Sequence, residues 1–356
     1  MSTFDVAIIG GGPGGSTCAA FCAQQGLRTL LLEREKFPRE KVCGDTLNPA
    51  CWPVFQRLGT EAKLRASPHG PLARVEFISL RGLRIPVDLP RNGDAEISLK
   101  RSILDLVLLE RARALGAEVH EATTLTALQR ADDDWQLTTA DAIHFRARVV
   151  VAADGRNSTV ARLLKLLPRA TKERVALQAH VPLPRDFGDR VVLQLLPGGY
   201  SGQAPVNKHE LNLCLVGKPK SLRALQDWAT KTFVLPASQT WRTITPLART
   251  PLPPARENLL LVGDAARVVE PFTGEGIFYA LRSGEIASSV IGRMARGDRS
   301  AAHDYAAQHA ALYRGRLWVN SLARASVVSP TFGSLVLEIA RFQPALMRFL
   351  TAKIVR

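Results

Sequence analysis

The sequence predicts a mixed α/β protein (α+β overall) with three parts: a parallel-sheet domain assembled from discontinuous segments, an inserted and mostly antiparallel β-sheet domain, and a C-terminal helical segment. Three observations support this prediction. A short apolar strand runs directly into a glycine-rich turn, two later apolar strands end in turn residues near positions 154 and 263, and the stretches between them alternate apolar and polar side chains.

Composition narrows the classes of function. The 47 basic and 32 acidic residues give a net charge of +15, but they are scattered without a long Lys/Arg run, so nucleic acid is not an expected partner. The five cysteines form no C-x-x-C pair and no set with zinc-ligand spacing, so we expect no metal site and a reducing compartment. The first strand begins at Phe4 and no apolar run reaches bilayer-spanning length, which predicts a cytoplasmic protein.

The first motif is the sequence GGGPGG at residues 10–15, which satisfies G-x-G-x-x-G directly after the apolar strand. Gly10 permits a tight turn, Gly12 lets the backbone approach a pyrophosphate, and Gly15 lets the following helix pack closely on the strand. Pro13 is tolerated because an N–H in the first helical turn has no intrahelical partner. Together with Gly14, these residues predict the pyrophosphate cradle of a Rossmann-type domain.

The second element of this domain is a strand that ends in an acid. A helix over residues 16–25 is followed by an apolar strand over residues 28–32, and Glu33 comes next. A carboxylate at this distance from the glycine turn is placed to accept hydrogen bonds from ribose hydroxyls, and it disfavours a 2′-phosphate. The ligand is therefore predicted to be NAD or FAD rather than NADP, and we assign the neighbouring Arg34 to the same site.

The third element is the strand at residues 259–262, which ends in Gly263-Asp264-Ala265. A carboxylate at the carboxyl edge of the sheet can accept hydrogen bonds from the ribityl hydroxyls of a flavin, and the Ala265 N–H can meet phosphate. The sequence PFTGEGI at residues 271–277 then predicts a helix N-terminus whose free N–H groups suit the negative charge of a reduced flavin.

Three separated segments resemble one family, and the first of them is the glycine turn at residues 10–15. Residues 149–162, with the sequence VVVAADGRNSTVAR, resemble the Asp-Gly motif of para-hydroxybenzoate-hydroxylase-type flavoproteins (class A flavin monooxygenases), and residues 259–277 are similar to their second FAD-binding sequence. Residues 271–277 and the sequence KVCGD at residues 41–45 most resemble the geranylgeranyl reductase branch of that superfamily. The resemblance implies FAD as the bound cofactor.

The resemblance also implies roles for individual residues. Asp154, Gly155 and Arg156 become candidates for the border between FAD and pyridine nucleotide, with an ordinary turn as the alternative. Arg101 corresponds to a flavin-contacting arginine, with a solvated surface arginine as the alternative. Lys41 is assigned to the cofactor site.

The geranylgeranyl reductase branch implies further residues. It places Cys43 beside the flavin, where the alternative is a small buried hydrophobe. Asp45 and Glu275 are the other predicted catalytic side chains, and Glu275 is expected near the pyrimidine ring. Contacts to the cofactor at the same helix start are assigned to the residues Pro271, Gly274, Glu275, Gly276 and Ile277.

The inserted domain is predicted from alternation within residues 70–90 and 172–217. Residues 197–205 resemble the family's hairpin on the substrate side, with Tyr200 as a cavity residue or, equally, a core tyrosine. The predicted units are an FAD-binding domain at 1–48, 96–165 and 255–292, a substrate domain at 49–95 and 166–254, and C-terminal helices at 293–356.

The resemblance implies an FAD-dependent oxidoreductase that is reduced by NAD(P)H and acts on an apolar or aromatic small molecule. Only one G-x-G-x-x-G signature is present, so NAD(P)H is expected to visit transiently. The sequence leaves double-bond reduction and aromatic hydroxylation open. The alternatives are a flavin-dependent halogenase, whose Trp-x-Trp-x-Ile-Pro motif residues 241–246 match only superficially, and a non-catalytic flavin-binding or sensing protein.

The C-terminal segment is rich in aromatic residues and arginines. An amphipathic tail of this kind packs on the domain, closes a substrate tunnel or rests peripherally on a membrane surface. Pro330 and Pro344 are expected to break it into short helices. The oligomeric state is not indicated.

Overall fold

A computed structural model describes residues 3–89, 96–168 and 174–343, and the single positions 345, 349 and 351. The helices in these residues are α1 (Pro13–Gln24), α2 (Trp52–Leu58), α3 (Glu61–Ala66), α4 (Arg101–Ala114), α5 (Thr159–Leu163), α6 (Leu222–Phe233), α7 (Gly276–Ala295), α8 (Ser300–Leu312), α9 (Leu317–Val328) and α10 (Pro330–Ala340).

The strands of the same residues are β1 (Thr3–Ile9), β2 (Thr29–Leu32), β3 (Thr46–Leu47), β4 (Gly70–Pro71), β5 (Arg74–Ile78), β6 (Arg84–Asp88), β7 (Ile97–Ser98), β8 (Glu118–His120), β9 (Leu125–Ala131), β10 (Asp134–Thr139), β11 (His144–Ala152), β12 (Val175–Pro182), β13 (Arg190–Leu196), β14 (Gly199–Pro205), β15 (Glu210–Gly217), β16 (Arg242–Ile244), β17 (Ala255–Arg256) and β18 (Leu259–Leu261).

The first sheet brings the three motif-bearing strands together. The strand order along the sheet is β17-β18-β11-β1-β2-β8. Strand β1 pairs in parallel with both β2 and β11, and β11 pairs in parallel with β18. Because neighbouring parallel strands end at the same edge, the turns after β1, β11 and β18 lie side by side. The predicted α/β fold with a parallel sheet assembled from distant segments is confirmed.

Helices α1, α4 and α7 share one apolar core with this sheet. Helices α1 and α7 approach each other very closely at two glycines. A Cβ on Gly14 would lie 2.9 Å from the Ala280 carbonyl oxygen, and a Cβ on Gly284 would lie 2.3 Å from the Gly14 carbonyl oxygen. The close packing of these helices therefore requires glycine at both positions.

The second sheet has the order β16-β12-β15-β14-β13-β5-β6 and is antiparallel except for the parallel pair β5–β13. Helix α6 covers one face, where Leu213 and Leu225 share a core. The other face packs against α9 and α10 through Leu195, Tyr200 and Leu337. Strands β9 and β10 form an antiparallel hairpin that joins the first sheet through β11. A small sheet, in the order β3-β7-β4, contains the remaining strands.

The C-terminal segment is helical, as predicted, and Pro330 begins α10. Pro344 lies outside the described residues. Within the part of the chain that the structure describes, no single helix is long and apolar enough to cross a membrane. Helices α9 and α10, which are bent by 117° relative to each other, meet that criterion only as a pair.

Candidate functional site

A cavity of about 610 Å³ extends from the carboxyl edge of the first sheet to the inner face of the second. Its polar end is formed by the glycine turn after β1 and by the turns after β11 and β18. Its apolar end is formed by β5, β13, β14 and β15 together with α9 and α10. One space therefore joins the predicted cofactor site to the predicted substrate domain.

The glycine turn fits a bound pyrophosphate. A Cβ on Gly12 would meet only the Arg39 Nη2 atom, at 3.7 Å, so this glycine borders open space. Gly10, Pro13 and Gly14 also line the cavity. Gly15 has a packing role instead, because a Cβ there would lie 1.9 Å from the Gly10 carbonyl oxygen.

Glu33 lines the cavity beside this turn and is buried. The Gly11 N–H donates to its Oε2 atom at 2.7 Å, and the Glu35 N–H donates to its Oε1 atom at 2.9 Å. The carboxylate thus organises the glycine turn, and each oxygen keeps a further lone pair for a ribose hydroxyl. Arg34 also lines the cavity and forms an exposed ion pair with Glu35.

The turn after β18 places Asp264 at the same edge of the sheet. Its carboxylate accepts a hydrogen bond from Arg156 Nη2 at 3.0 Å, and Arg249 donates to the carbonyl oxygens of Asp264 and Ala265. Gly263 adopts a φ of +57° here, which favours glycine. The prediction for Ala265 is corrected: its N–H donates to the Val262 carbonyl oxygen within the tight turn, so it is not free for phosphate.

Besides Arg34, four cations among the described residues line the cavity: Arg39, Lys41, Arg101 and Arg156. Burial and, to a smaller extent, the positive charges of Arg101, Arg39 and Arg156 together lower the pKa of Lys41 to about 8, with Asp264 opposing them. An anionic ligand would stabilise the charged lysine. The group therefore fits the two phosphates of a dinucleotide.

Arg101 is buried, not the solvated surface arginine that was the alternative. It donates to both carboxylate oxygens of Asp105 at 2.8 Å. It also donates toward Cys43, whose thiol lines the cavity. Burial raises the pKa of Cys43 despite the positive charge of Arg101, so the thiol is protonated at neutral pH.

Asp45, one of the predicted catalytic side chains, makes polar contacts with the second sheet. It is fully buried, with a φ of +60°, and its Oδ2 atom forms a 2.8 Å hydrogen bond with His180 Nε2. The described residues that line the cavity do not include it. Asn212 donates to the Cys43 carbonyl oxygen at 2.8 Å, and Gln178 joins Asn212 to Asp45. This network holds the Cys43 loop against the second sheet from behind.

Asp154 and Gly155 line the cavity. The Asp154 Oδ2 atom accepts the N–H groups of Thr159 at 2.6 Å and Val160 at 3.1 Å, so it caps helix α5. Burial raises the pKa of this carboxyl, and its hydrogen bonds oppose the rise. Gly155 has a φ of +80°. Asp154 and Gly155 thus form a turn and also border the cavity, so a turn and a contact with the cofactor are compatible at this position.

The helix N-terminus predicted at residues 271–277 faces the cavity. Helix α7 begins at Gly276, and Pro271, Gly274, Gly276 and Ile277 all line the space. A Cβ on Gly276 would meet nothing within 4 Å, so the first N–H groups of a 20-residue helix are accessible there. The positive end of the helix dipole adds to the attraction for negative charge.

The side chain of Glu275, a predicted catalytic residue, is held by three neighbouring side chains. Its carboxylate accepts hydrogen bonds from Tyr279 at 3.2 Å, Arg316 at 3.0 Å and Asn320 at 3.0 Å, and it is not among the described residues that line the cavity. Burial raises the pKa of Glu275, and Arg316 opposes the rise. The residue joins the start of α7 to α9 rather than facing a flavin ring.

Tyr200 lines the apolar end of the cavity and also belongs to the apolar core of the second sheet, so the structure is compatible with both alternatives for this residue. Its ring is buried and lies at an angle of 84° to the Phe272 ring, with 5.1 Å between centroids.

Cys214 is the thiol opposite Cys43, and its Sγ atom donates to the Cys43 carbonyl oxygen at 3.2 Å. Trp241, the first residue of the stretch that superficially matches the halogenase motif, does not line the apolar wall of the cavity and packs against the core beneath α6. Aliphatic and aromatic side chains complete this wall: Val75, Phe77, Val191, Leu193, Leu195, Val216, Ile244, Leu247, Leu322, Val336 and Leu337.

Several residues at the site were missed from the sequence. They are Arg39, His180, Asn212, Cys214 and Arg249. None lies in a recognisable motif, and four of them belong to the second sheet or its connections. Only the run of arginines and lysines at residues 34–41 carried a usable signal, for Arg39.

Comparison with known proteins agrees with this geometry. The model of the family described as "FAD binding domain" matches residues 3–188. The chain is 30% identical over 325 residues to digeranylgeranylglycerophospholipid reductase of Methanocella arvoryzae, covering 84% of this chain and 80% of that protein. It is 26% identical over 327 residues to menaquinone reductase of Mycolicibacterium smegmatis, covering 81% and 76%.

Two further similarities differ in extent. The chain is 30% identical over 326 residues to conditioned medium factor receptor 1 of Dictyostelium discoideum, covering 82% of this chain but only 63% of the receptor. The fold is similar to that of PqsL, a probable FAD-dependent monooxygenase from Pseudomonas aeruginosa, with a TM-score of 0.79, 21% identity, and coverage of 94% and 100%. The chain therefore belongs to the FAD binding domain family and is an FAD-dependent oxidoreductase of the geranylgeranyl reductase type.

Proposed function

We propose that this protein reduces a carbon–carbon double bond in an apolar, chain-like small molecule, with NAD(P)H as a transient reductant. The observation that supports this most directly is the continuity of the cavity. A cradle suited to a dinucleotide opens into a long wall of aliphatic and aromatic side chains without an intervening layer of protein. Such a wall favours a hydrocarbon chain over a polar substrate.

The names of two groups of relatives agree with this substrate class. Menaquinone and digeranylgeranylglycerophospholipid both carry long unsaturated isoprenoid chains, and the relatives bearing those names are reductases. The apolar wall of this chain provides the matching surface, from Leu193 and Leu195 on β13 to Val336 and Leu337 on α10. We propose that the isoprenoid-type chain lies along this wall.

The residues of the chain have distinct tasks in this proposal. FAD, when bound, supplies the hydride chemistry that links a nicotinamide donor to the double bond. Lys41, Arg39 and Arg156 bind its phosphates, and the start of α7 stabilises negative charge on its ring system. The Cys43 thiol, which is protonated because burial raises its pKa, holds the proton that the second carbon of the double bond requires.

A second candidate, hydroxylation of an aromatic substrate, is favoured by one observation. Tyr200, Phe272 and Phe77 form a chain of aromatic rings in the cavity, with centroid distances of 5.1 and 6.3 Å. These rings could contact an aromatic substrate edge-to-face. The two reactions differ in their need for oxygen, which makes them experimentally separable.

The experiment is anaerobic reduction of the FAD-loaded protein, followed by addition of substrate. We expect NADH or NADPH to bleach the flavin absorbance, and a prenylated quinone or a geranylgeranyl lipid to restore it without oxygen. Mass spectrometry should then show a product that has gained two hydrogen atoms. Restoration only by oxygen, together with an aromatic product that has gained one oxygen atom, would instead support hydroxylation.

Two outcomes would reject parts of the proposal. A flavin that dithionite reduces but neither nicotinamide does would reject NAD(P)H as the reductant. A reduced flavin that no prenylated compound reoxidises would reject the substrate class. The Cys43→Ala variant is the internal control, because it should still be reduced by the nicotinamide yet transfer slowly to the substrate.

A further inference from the structure

Helix α10 and the residues just after it expose an apolar stripe, which we define as Phe332, Leu335, Ile339 and Phe342. The spacing of three, four and three residues places them on one face of a helix. Their exposed fractions are 43%, 54%, 58% and 74%. Scattered exposed hydrophobic residues are ordinary in proteins, but four large ones on one helical face form a contiguous patch that marks an interaction surface.

Helix α9 contributes further exposed apolar residues. Trp318 and Leu317 are exposed at its start and Val328 at its end. Tryptophan is enriched where proteins meet the headgroup region of a bilayer, because its ring is apolar and its N–H is polar. Phe349, one of the few later positions that the structure describes, is exposed as well.

The charge of this segment is strongly one-sided. Residues 314–343 contain Arg314, Arg316, Arg324 and Arg341, with Glu338 as their single acidic residue, and the charge of Arg316 is paired with Glu275. Glu338 lies 3.4 Å from Arg81, so even this negative charge is opposed by a neighbouring arginine. The whole chain also carries a net charge of +15. The surface of α9 and α10 therefore suits a partner that has negatively charged groups on its surface and an apolar interior.

The opposite faces of the same helices line the cavity. Leu322 and Ala323 of α9, and Gly333, Val336 and Leu337 of α10, all border it. These two helices thus form a layer one helix thick between the apolar cavity and the outside. A substrate leaving a hydrocarbon environment at the apolar stripe would reach the cavity by passing this layer.

We propose that the apolar stripe and the exposed start of α9 dock onto an anionic lipid bilayer, so that the cavity receives its apolar substrate directly from the membrane. The delivery of substrate rests on the proposed function, whereas the docking does not. A second copy of the chain fits less well, because a two-fold contact would bring the same arginine-rich surfaces together and they would repel each other.

The test measures binding of the FAD-loaded full-length protein to vesicles by co-sedimentation. Vesicles of phosphatidylcholine with phosphatidylglycerol are compared with vesicles of phosphatidylcholine alone. We expect binding to the anionic vesicles, weakened by added salt. The double variant Ile339→Glu/Phe342→Glu should bind about tenfold more weakly or worse, because it removes apolar contacts and adds negative charge.

The matched control is Ile143→Glu, which replaces a similarly exposed isoleucine, 47% accessible, in the turn between β10 and β11. It should bind vesicles like the unmodified protein. Flavin absorbance and thermal unfolding of each variant verify that the fold and cofactor site are retained. Equal vesicle binding by the double variant and the control would overturn the proposal.

Two further outcomes are decisive. Absence of vesicle binding, combined with a dimer in sedimentation velocity that the double variant dissociates, would assign the stripe to contact between copies and overturn the proposal. The substrate-delivery part is tested by comparing a vesicle-borne prenylated quinone with a short water-soluble analogue. We expect the double variant to lose activity at least about fivefold only toward the former. Vesicle binding without turnover of either compound would reject the proposed reaction and leave the docking standing.

Discussion

The two ends of the cavity are built by opposite strategies. The cofactor end consists of backbone turns and charges, with Gly12, Lys41, Arg156 and Asp264 at the edge of one parallel sheet. The apolar end, where we propose that the substrate binds, consists of apolar side chains from the second sheet and two helices near the C-terminus. This difference indicates that retention of the cofactor and choice of substrate can vary independently, and each prediction below tests that separation.

The largest expected effect is complete loss of retained flavin in Gly12→Val. The backbone at Gly12 is extended, with φ −72° and ψ −177°, and its Cβ position is open, so valine fits the fold but occupies the space of the pyrophosphate. Purified protein should be colourless, and its free energy of unfolding without FAD should change by less than about 1 kcal/mol. The contrasting control is Gly15→Ala, which should destabilise the fold itself by about 3 kcal/mol because its Cβ meets the Gly10 carbonyl. A yellow Gly12→Val protein would contradict this placement of the cradle.

The second largest expected effect is on the rate of transfer from the reduced flavin to the substrate. Cys43→Ala should lower the rate of transfer to the substrate on the order of 100-fold or more, since a general acid contributes about that much, while the FAD dissociation constant stays within about threefold. In the unmodified protein the raised pKa keeps the thiol protonated below that pKa, so transfer should slow as the pH rises through it. Single-turnover kinetics under anaerobic conditions give both quantities. An unchanged rate would return Cys43 to the role of a small buried hydrophobe.

Asp264→Ala tests the cofactor end alone. Loss of a charged acceptor for the ribityl hydroxyls should weaken FAD binding by about 1.5 to 3 kcal/mol, measured by fluorescence titration of the flavin-free protein. Asp264→Asn is the matched variant, because it keeps the shape and removes the charge that pairs with Arg156. The rate of transfer from bound, reduced flavin should be nearly unaffected in both. A dissociation constant equal to that of the unmodified protein would exclude contact with the flavin.

Glu275→Gln tests whether every residue of the cofactor motif acts on the cofactor. Glu275 belongs to the motif at residues 271–277, yet its side chain lies outside the cavity lining. Replacing the carboxylate should lower the free energy of unfolding by about 1 to 2 kcal/mol through weaker bonding to Arg316 and Asn320. Thermal or denaturant unfolding provides the measurement. A variant of normal stability with impaired transfer would restore the catalytic assignment that the structure argues against.

The smallest effect is a dependence of cofactor affinity on pH. The pKa of Lys41 is lowered from 10.5 to about 8, so in the flavin-free protein the lysine loses its charge as the pH rises through 8. FAD binding favours the charged lysine and therefore takes up a proton above that pH. The dissociation constant should rise severalfold between about pH 7 and 9. Lys41→Met should bind more weakly at pH 7 and lose this dependence; a retained dependence would point to another group.

The cofactor end was largely predictable from the sequence. Gly12, Glu33 and Asp264 lie in short motifs in which a strand, a turn and a helix follow one another within the chain, so local pattern is sufficient. The local pattern did not predict the polar contacts of Asp45 and Glu275, whose partners His180 and Arg316 are distant in sequence, nor the engagement of the Ala265 N–H by Val262 within its own turn. The hydrogen bond of Asp45 to His180 spans 135 residues, and no local pattern reports such a pair.

The sequence by itself determined that three apolar strands end in the turns of a flavin dinucleotide site, because strand burial, glycine geometry and a terminal acid are all encoded within a few neighbouring residues. Only the tertiary structure decided which side chains face the cavity. Sheet pairing and helix packing turned Cys43 and Tyr200 toward it, and directed Asp45 and Glu275 into polar contacts behind its walls. The physical reason is that a buried carboxylate must find partners wherever the fold provides them.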